Sequence, residues 1–134
     1  DPRCVQIEIT ERTAVTDLDA TCARLHELRA LGVRVAIDDF GTGYSSLSCL
    51  KRLPIDTLKV DKSFVDGLGA DPEDTSIIQA IVSLGRALRM DVLAEGVETD
   101  TQRLALIDLG CSHAQGFLWS AAVGATDAAR WLDR

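Results

Sequence analysis

Gly32-Val33-Arg34-Val35-Ala36-Ile37-Asp38-Asp39 is the stretch that sets the fold. Val33, Val35 and Ile37 recur with period two, the pattern of a strand that packs one face. Gly32 stands where a glycine commonly ends a helix. Before it, Leu18, Cys22, Leu25 and Leu28 fall on one side of a helix predicted from Leu18 to Leu31. Earlier still, Val5-Gln6-Ile7-Glu8-Ile9 alternates again. The order is strand, helix, strand, and an acid pair closes the second strand.

The same unit recurs downstream. Thr57-Leu58-Lys59-Val60-Asp61 reads as a third strand, and Asp71-Pro72 opens a helix carrying Ile77, Ile78, Ile81, Val82, Leu84 and Leu88. Asp91-Val92-Leu93-Ala94-Glu95 is a fourth strand. Thr99-Asp100-Thr101-Gln102 is a capping box for a helix through Leu109, with Gly110 behind it, and a fifth strand is predicted from Ala114 to Trp119. Short Val/Ile/Leu-rich strands alternating with helices make an α/β chain with a parallel sheet. Each strand carries a polar group near its C-terminal end: Glu8, Asp38, Lys59 with Asp61, Glu95 and Gln115. Barrel enzymes gather catalytic groups at that end. The expected fold is therefore an incomplete (β/α)8 TIM-type barrel of about five βα units rather than an open doubly wound sheet.

Composition bounds the function. The 134 residues are 46% hydrophobic and 26% charged with a net charge of −7, which suits one globular domain and excludes a disordered tail. Fourteen Lys and Arg against twenty-one Asp and Glu leave no general basic surface for polymeric nucleic acid or an anionic membrane. No apolar run approaches the roughly 18 residues of a spanning helix, and Asp-Pro-Arg-Cys does not open like a signal peptide, so the cytoplasm is the expected compartment. Cys4, Cys22, Cys49 and Cys111 form no Cys-x-x-Cys pair and are expected as four buried thiols; His26 and His113 lie far apart, which speaks against zinc. A whole barrel of this type takes about 200–250 residues. Sheet edges are thus expected to stay uncovered unless further chain closes them.

Glu8, Asp38, Asp39 and Glu95 are carboxylates without a nearby His or Cys, a donor set for hard cations such as Mg²⁺ or Mn²⁺. Asp38 is expected to point inward and Asp39 to lie on the turn, which suits two ions about 3.5–4 Å apart. The metals would supply the positive field that an acidic protein lacks, and Lys59 a point charge beside a phosphate. The implied chemistry is hydrolysis of a phosphodiester by metal-activated water. Each residue alone has a plainer reading: Asp38-Asp39 as a turn, Lys59 as a salt-bridged lysine, Glu95 and Gln115 as turn residues before glycine. Repetition at five strand ends outweighs those readings. Phe40-Gly41-Thr42-Gly43-Tyr44-Ser45-Ser46 lacks both the P-loop ending and a dinucleotide fingerprint. It suits a mobile loop reporting site occupancy, or a plain tight turn, with Ser45 or Ser46 capping a short helix. Glu11 is expected to cap or brace the segment after the first strand.

The motifs Ile7-Glu8-Ile9-Thr10-Glu11, Asp38-Asp39-Phe40-Gly41-Thr42-Gly43-Tyr44-Ser45-Ser46-Leu47, Leu53-Pro54-Ile55-Asp56-Thr57-Leu58-Lys59-Val60-Asp61, Ala94-Glu95-Gly96-Val97-Glu98-Thr99 and Leu109-Gly110-Cys111 with Gln115-Gly116-Phe117 occur in this order. In them the chain resembles the C-terminal part of EAL domains, the bacterial cyclic-di-GMP phosphodiesterases. The resemblance implies a barrel that binds two Mg²⁺ or Mn²⁺ ions and cleaves cyclic di-GMP to linear pGpG. It implies Glu8 and Asp38 as ligands of one ion, and Asp38, Asp39 and Glu95 as the set for the other. Lys59 matches the lysine near the hydrolytic water and phosphate, and Gln115 the glutamine lining the site. For Glu95, metal ligand and general base both stand. Glu11 matches the glutamate that steadies the loop holding Gly41, Thr42 and Gly43, while Asp61 and Glu98 match supporting acids. It further implies pairing into homodimers through the barrel and fusion to GGDEF or sensory domains.

The departures carry weight too. Residues 1–134 are expected to be the C-terminal portion of such a domain, without the Glu-Ala-Leu signature, a glutamate ligand, an asparagine ligand and most groups that hold the guanines. Ala121-Ala122 stand where the family usually has Arg-Pro. A second reading follows, an inactive EAL module acting as a cyclic-di-GMP sensor or interaction scaffold.

Overall fold

A computed structural model describes residues 1–43 and 47–132. Five parallel strands form one sheet in the order β1-β2-β3-β4-β5. They are β1 Gln6–Thr10, β2 Arg34–Phe40, β3 Thr57–Val60, β4 Asp91–Ala94 and β5 His113–Ala114. Helices α1 Glu11–Thr16 and α2 Leu18–Ala30 follow β1, and α3 Leu47–Arg52 follows β2. Next come α4 Lys62–Asp66 and α5 Pro72–Leu88 after β3, α6 Asp100–Asp108 after β4, and α7 Ala125–Leu132 after β5. Strand order never reverses, so no switch point of a doubly wound sheet arises. The arrangement is an α/β run of successive units, as a barrel lays them down.

The sheet's two faces differ in chemistry. Val35, Ile37, Leu58, Val60, Val92 and Ala94 are buried against helix residues Leu25, Leu50, Ile78, Ile81, Val82 and Leu106. These alternate positions form the core, which lies between sheet and helices. The opposite face carries a polar set: Thr57 Oγ1 donates to Gln6 Oε1 at 3.2 Å, Arg34 pairs with Asp91 at 2.6 Å, and Lys59 meets the acids described below.

Local signals explain the helix boundaries. Asp17 accepts from the Ala20 amide, and Asp71 from the Glu73 amide with Pro72 in the first turn. The Thr99–Gln102 capping box is complete in both directions. Gly32, at φ +95°, follows α2 in the left-handed backbone that closes a helix.

Several expectations are corrected. The predicted fifth strand over 114–119 is only the two residues of β5. The chain leaves the sheet because the Leu118 amide turns back to the Val97 carbonyl and the Trp119 amide to that of Gly116. The second strand runs on to Phe40 and includes Asp39, which the sequence places on a turn. Nor are all four cysteines buried: Cys111 is, Cys22 and Cys49 are half-buried, and Cys4 is exposed in the short turn before β1. Ser45 and Ser46, expected as caps of α3, lie outside the described residues. Among those described, no helix is long and apolar enough to cross a membrane.

Candidate functional site

The site is built where β1, β2, β3 and β4 end. Lys59, in the middle of the sheet, has a side chain only 4% exposed. Its Nζ donates to Glu8 Oε2 at 2.6 Å and Asp38 Oδ1 at 2.8 Å, and lies 2.8 Å from Glu95 Oε1. Burial pulls the ammonium toward losing its proton, but hydrogen bonds to Asp38, Glu8 and Glu95 outweigh that and push its pKa well above the usual lysine value. Gln115 Nε2 donates to the same Glu95 oxygen at 2.6 Å, anchoring that carboxylate from the segment after β5.

Asp38 and Asp39 are neighbours in β2, and neighbours on a regular strand point to opposite faces. Here the register between β2 and β3 shifts between Ile37 and Phe40, and Asp39 sits at φ +53°. The irregularity works as a β-bulge re-aims a side chain, and Asp tolerates the left-handed backbone better than most residues. Asp38, Asp39 and Glu95 consequently offer oxygens within 4.8 Å of one another. Three convergent carboxylates fit a hard divalent cation by donor chemistry. Glu8 is not in that set; it shares the Lys59 ammonium with Asp38 and Glu95.

The electrostatics match the crowding. Partial loss of water raises the Asp39 pKa, and the charges of Asp38 and Asp61 push it further up while Lys59 pulls down. Burial likewise raises that of Glu95, opposed by its contact with Lys59. Asp61, whose carboxylate caps α4, is held below the usual range first by the Ser63 hydroxyl.

The supporting residues sit around this cluster rather than in it. Glu11, at the start of α1 and buried, accepts from the amides of Gly41 at 3.3 Å and Gly43 at 3.2 Å. A Cβ at Gly43 would stand 3.0 Å from the Glu11 carboxylate, so any side chain there would have to push that carboxylate aside. The hydroxyl of Thr42, between them, donates to the Asp39 carbonyl at 2.8 Å. Glu98 is exposed and pairs with Lys62 at 2.9 Å. It lines a cavity of about 470 Å³ with Lys62, Gln115, Phe117, Ala121 and Ala122 beside the acids.

The family model for the EAL domain matches residues 1–122. The chain belongs to the EAL domain family. It is 51% identical over 118 residues to the bifunctional diguanylate cyclase/cyclic di-GMP phosphodiesterase MucR of Pseudomonas aeruginosa, covering 88% of this chain and 17% of that protein. The structure of the PaMucR phosphodiesterase in complex with c-di-GMP superimposes with a TM-score of 0.90 at 48% identity, over 95% of this chain and 51% of that one. BlrP1 of Klebsiella pneumoniae, in a manganese/cy-diGMP complex, gives a TM-score of 0.80 at 39% identity, over 87% of this chain and 30% of that one. The chain thus spans less than a fifth of MucR and about half of the solved PaMucR chain, and its five strands match a portion of the EAL barrel.

Sequence reasoning about this EAL chain missed two supports. Gln102 was legible as a capping residue, yet it is also buried, and its Nε2 donates to the Val65 carbonyl at 3.2 Å while Oε1 accepts from the Glu98 and Thr99 amides. It thereby ties the backbone of Glu98 to α4. Lys62, whose stem lies against Gly96, pairs with Asp66 as well as Glu98. The Lys62–Asp66 spacing of four was the only local signal.

Proposed function

We propose that residues 1–134 form the C-terminal portion of an EAL barrel that hydrolyses cyclic di-GMP to linear pGpG with two Mg²⁺ or Mn²⁺ ions. The observation that carries this reading is the convergence of Asp38, Asp39 and Glu95, which the irregularity in β2 brings together. The relatives that bind cyclic di-GMP, one of them with manganese, support the substrate and the metal. When bound, such ions supply a Lewis acid and a water activated near neutral pH. Asp38, Asp39 and Glu95 would hold one ion, and Glu8 with Asp38 the other. Gln115 fixes the Glu95 carboxylate, and Lys59 presents positive charge to a phosphate oxygen. In the reaction, oxygen from water bonds to phosphorus, one ester P–O bond breaks, and the departing ribose oxygen takes a proton. Glu11 holds the Gly41–Gly43 backbone over the site, while Asp61 and Glu98 brace its rim.

MucR is described as bifunctional, which supports a GGDEF domain in the whole protein, and pairing through the barrel belongs to the same reading. The test is cyclic-di-GMP hydrolysis with Mg²⁺ or Mn²⁺, run on this chain and on a version extended upstream. Turnover to pGpG that disappears in Glu95→Ala and Lys59→Ala is expected of the extended protein. Persistent activity in both variants would refute the residue assignment. Binding of cyclic di-GMP without turnover would replace the enzyme by the sensor or scaffold.

A further inference from the structure

Residues 95–99 belong to no strand or helix, so their amides need acceptors from outside regular structure. Those of Glu95 and Val97 donate to the Val60 and Gln115 carbonyls at 3.2 and 3.0 Å. Those of Glu98 and Thr99 both go to one atom, Gln102 Oε1, at 2.9 Å each. That occupies both lone pairs of the side-chain carbonyl. Nε2 of the same side chain turns away from this connection and donates to the Val65 carbonyl of α4 at 3.2 Å. Gln102 is only 8% exposed, so these bonds are sheltered from water. The helix it reaches stands against the acid cluster. Asp61 caps α4 beside Asp39, and a Cβ at Gly41 would lie 2.9 Å from the Phe64 ring, so α4 packs on the chain two residues after Asp39.

Resting on the metal reading above, we propose that Gln102 is a positioning residue for a divalent cation held by Asp38, Asp39 and Glu95: it clamps the connection that carries Glu95 to the helix that braces Asp39. The side chain touches none of the three carboxylates. It sets the gap across which their oxygens, within 4.8 Å of one another, converge. Hard cations take oxygens at about 2.0–2.6 Å, so a small shift of one flank against the other costs affinity. Capping α6 alone would ask less of this residue. A cap needs only the bonds at Oε1, which a glutamate makes as well. The bond from Nε2 to Val65 joins the two flanks inside the protein, whereas the Lys62–Glu98 pair joins them at the exposed rim.

The test is Mn²⁺ binding to the full chain, followed by electron paramagnetic resonance of free Mn²⁺, with thermal unfolding by circular dichroism on the same samples. Gln102→Glu keeps the cap, loses the donor to Val65 and adds a negative charge. Charge alone would tighten cation binding, so the expected loss of about ten-fold in affinity reports geometry. Gln102→Met, close to Gln in length and volume, loses all three bonds and should weaken Mn²⁺ binding at least as much. Asp56→Ala is the control: it removes the acceptor of the Val35 amide at the far end of the sheet, and should melt lower while Mn²⁺ affinity stays within about two-fold of the wild type. An affinity unchanged to that extent in either Gln102 variant would overturn the proposal. So would an equal loss in Asp56→Ala, which would make affinity a reflection of stability. Should Gln102→Met not fold, Gln102→Glu decides, and failure of both to fold makes the residue purely structural and overturns the proposal. A wild-type chain that binds no Mn²⁺ sinks the metal reading and the proposal with it, an outcome distinct from Mn²⁺ bound equally by wild type and variants.

Discussion

Replacing Asp39 by Asn separates what the acid cluster does for the fold from what it does for a cation, because the two effects have opposite signs. Asn tolerates the left-handed backbone at φ +53° about as well as Asp, so Asp39→Asn removes charge without straining the bulge. The Asp39 pKa is raised in the folded chain, so its ionisation opposes folding. That penalty is absent below about pH 4 and sets in as pH rises through the carboxylate range. Asp39 is exposed, and solvent screening keeps the penalty below about 1 kcal/mol. For a chain of this size 1 kcal/mol moves the melting temperature by roughly 3–5 °C. At pH 7 in EDTA, Asp39→Asn should therefore melt up to a few degrees above the wild type, and the difference should vanish near pH 3. With Mn²⁺ at a hundred times its Kd, the wild type gains about 2.7 kcal/mol, on the order of 10 °C. Losing one of the three carboxylates proposed to hold the ion is assigned about a ten-fold loss of affinity, which leaves about 1.4 kcal/mol at the same Mn²⁺ concentration. Thermal unfolding followed by circular dichroism, with EDTA and with Mn²⁺, reads both effects. A lower melting temperature in EDTA, or an undiminished response to Mn²⁺, would refute the reasoning.

Three further outcomes are expected. Asp56→Ala leaves the Val35 amide, which donates to Asp56 Oδ2 at 2.9 Å, without its acceptor, and also frees Arg29. It should cost about 1–3 kcal/mol in urea unfolding, against nearly nothing for an exposed pair such as Arg103–Asp100. Gly116→Ala would set a Cβ 2.2 Å from the Val97 carbonyl oxygen, a backbone contact that no rotamer relieves; destabilisation of about 1–3 kcal/mol should accompany weakened Mn²⁺ binding as Gln115 shifts away from Glu95. Burial raises the Cys111 thiol's pKa, so it should resist alkylation at pH 8 until the chain unfolds, while exposed Cys4 reacts at once; equal rates at both would contradict the packing.

Much of this site was visible in the primary structure because strands alternate. Glu8, Asp38, Lys59 and Glu95 each interrupt an apolar pattern near a strand end, and period two alone assigns them to the face opposite the helices. The short fifth strand was misread because Gly116-Phe117-Leu118-Trp119 has strand-like composition. There, Gly116 packs on the backbone of Val97, a contact about twenty residues away in the chain that no local pattern reports. Glu11 could be read as a brace, but its two acceptors at Gly41 and Gly43 lie thirty residues on.

The amino-acid order by itself determined the sequence of strand and helix units, the helix caps and the supply of carboxylates at strand ends, because these rest on periodicity and short-range hydrogen bonds. Only the tertiary structure decided that adjacent Asp38 and Asp39 converge, since this depends on how β2 slips against β3 and on the left-handed backbone that the slip imposes. The same holds for Lys59. Its identity is local, but its three carboxylate partners come from β1, β2 and the end of β4, and only strand pairing brings them within 2.8 Å of one nitrogen.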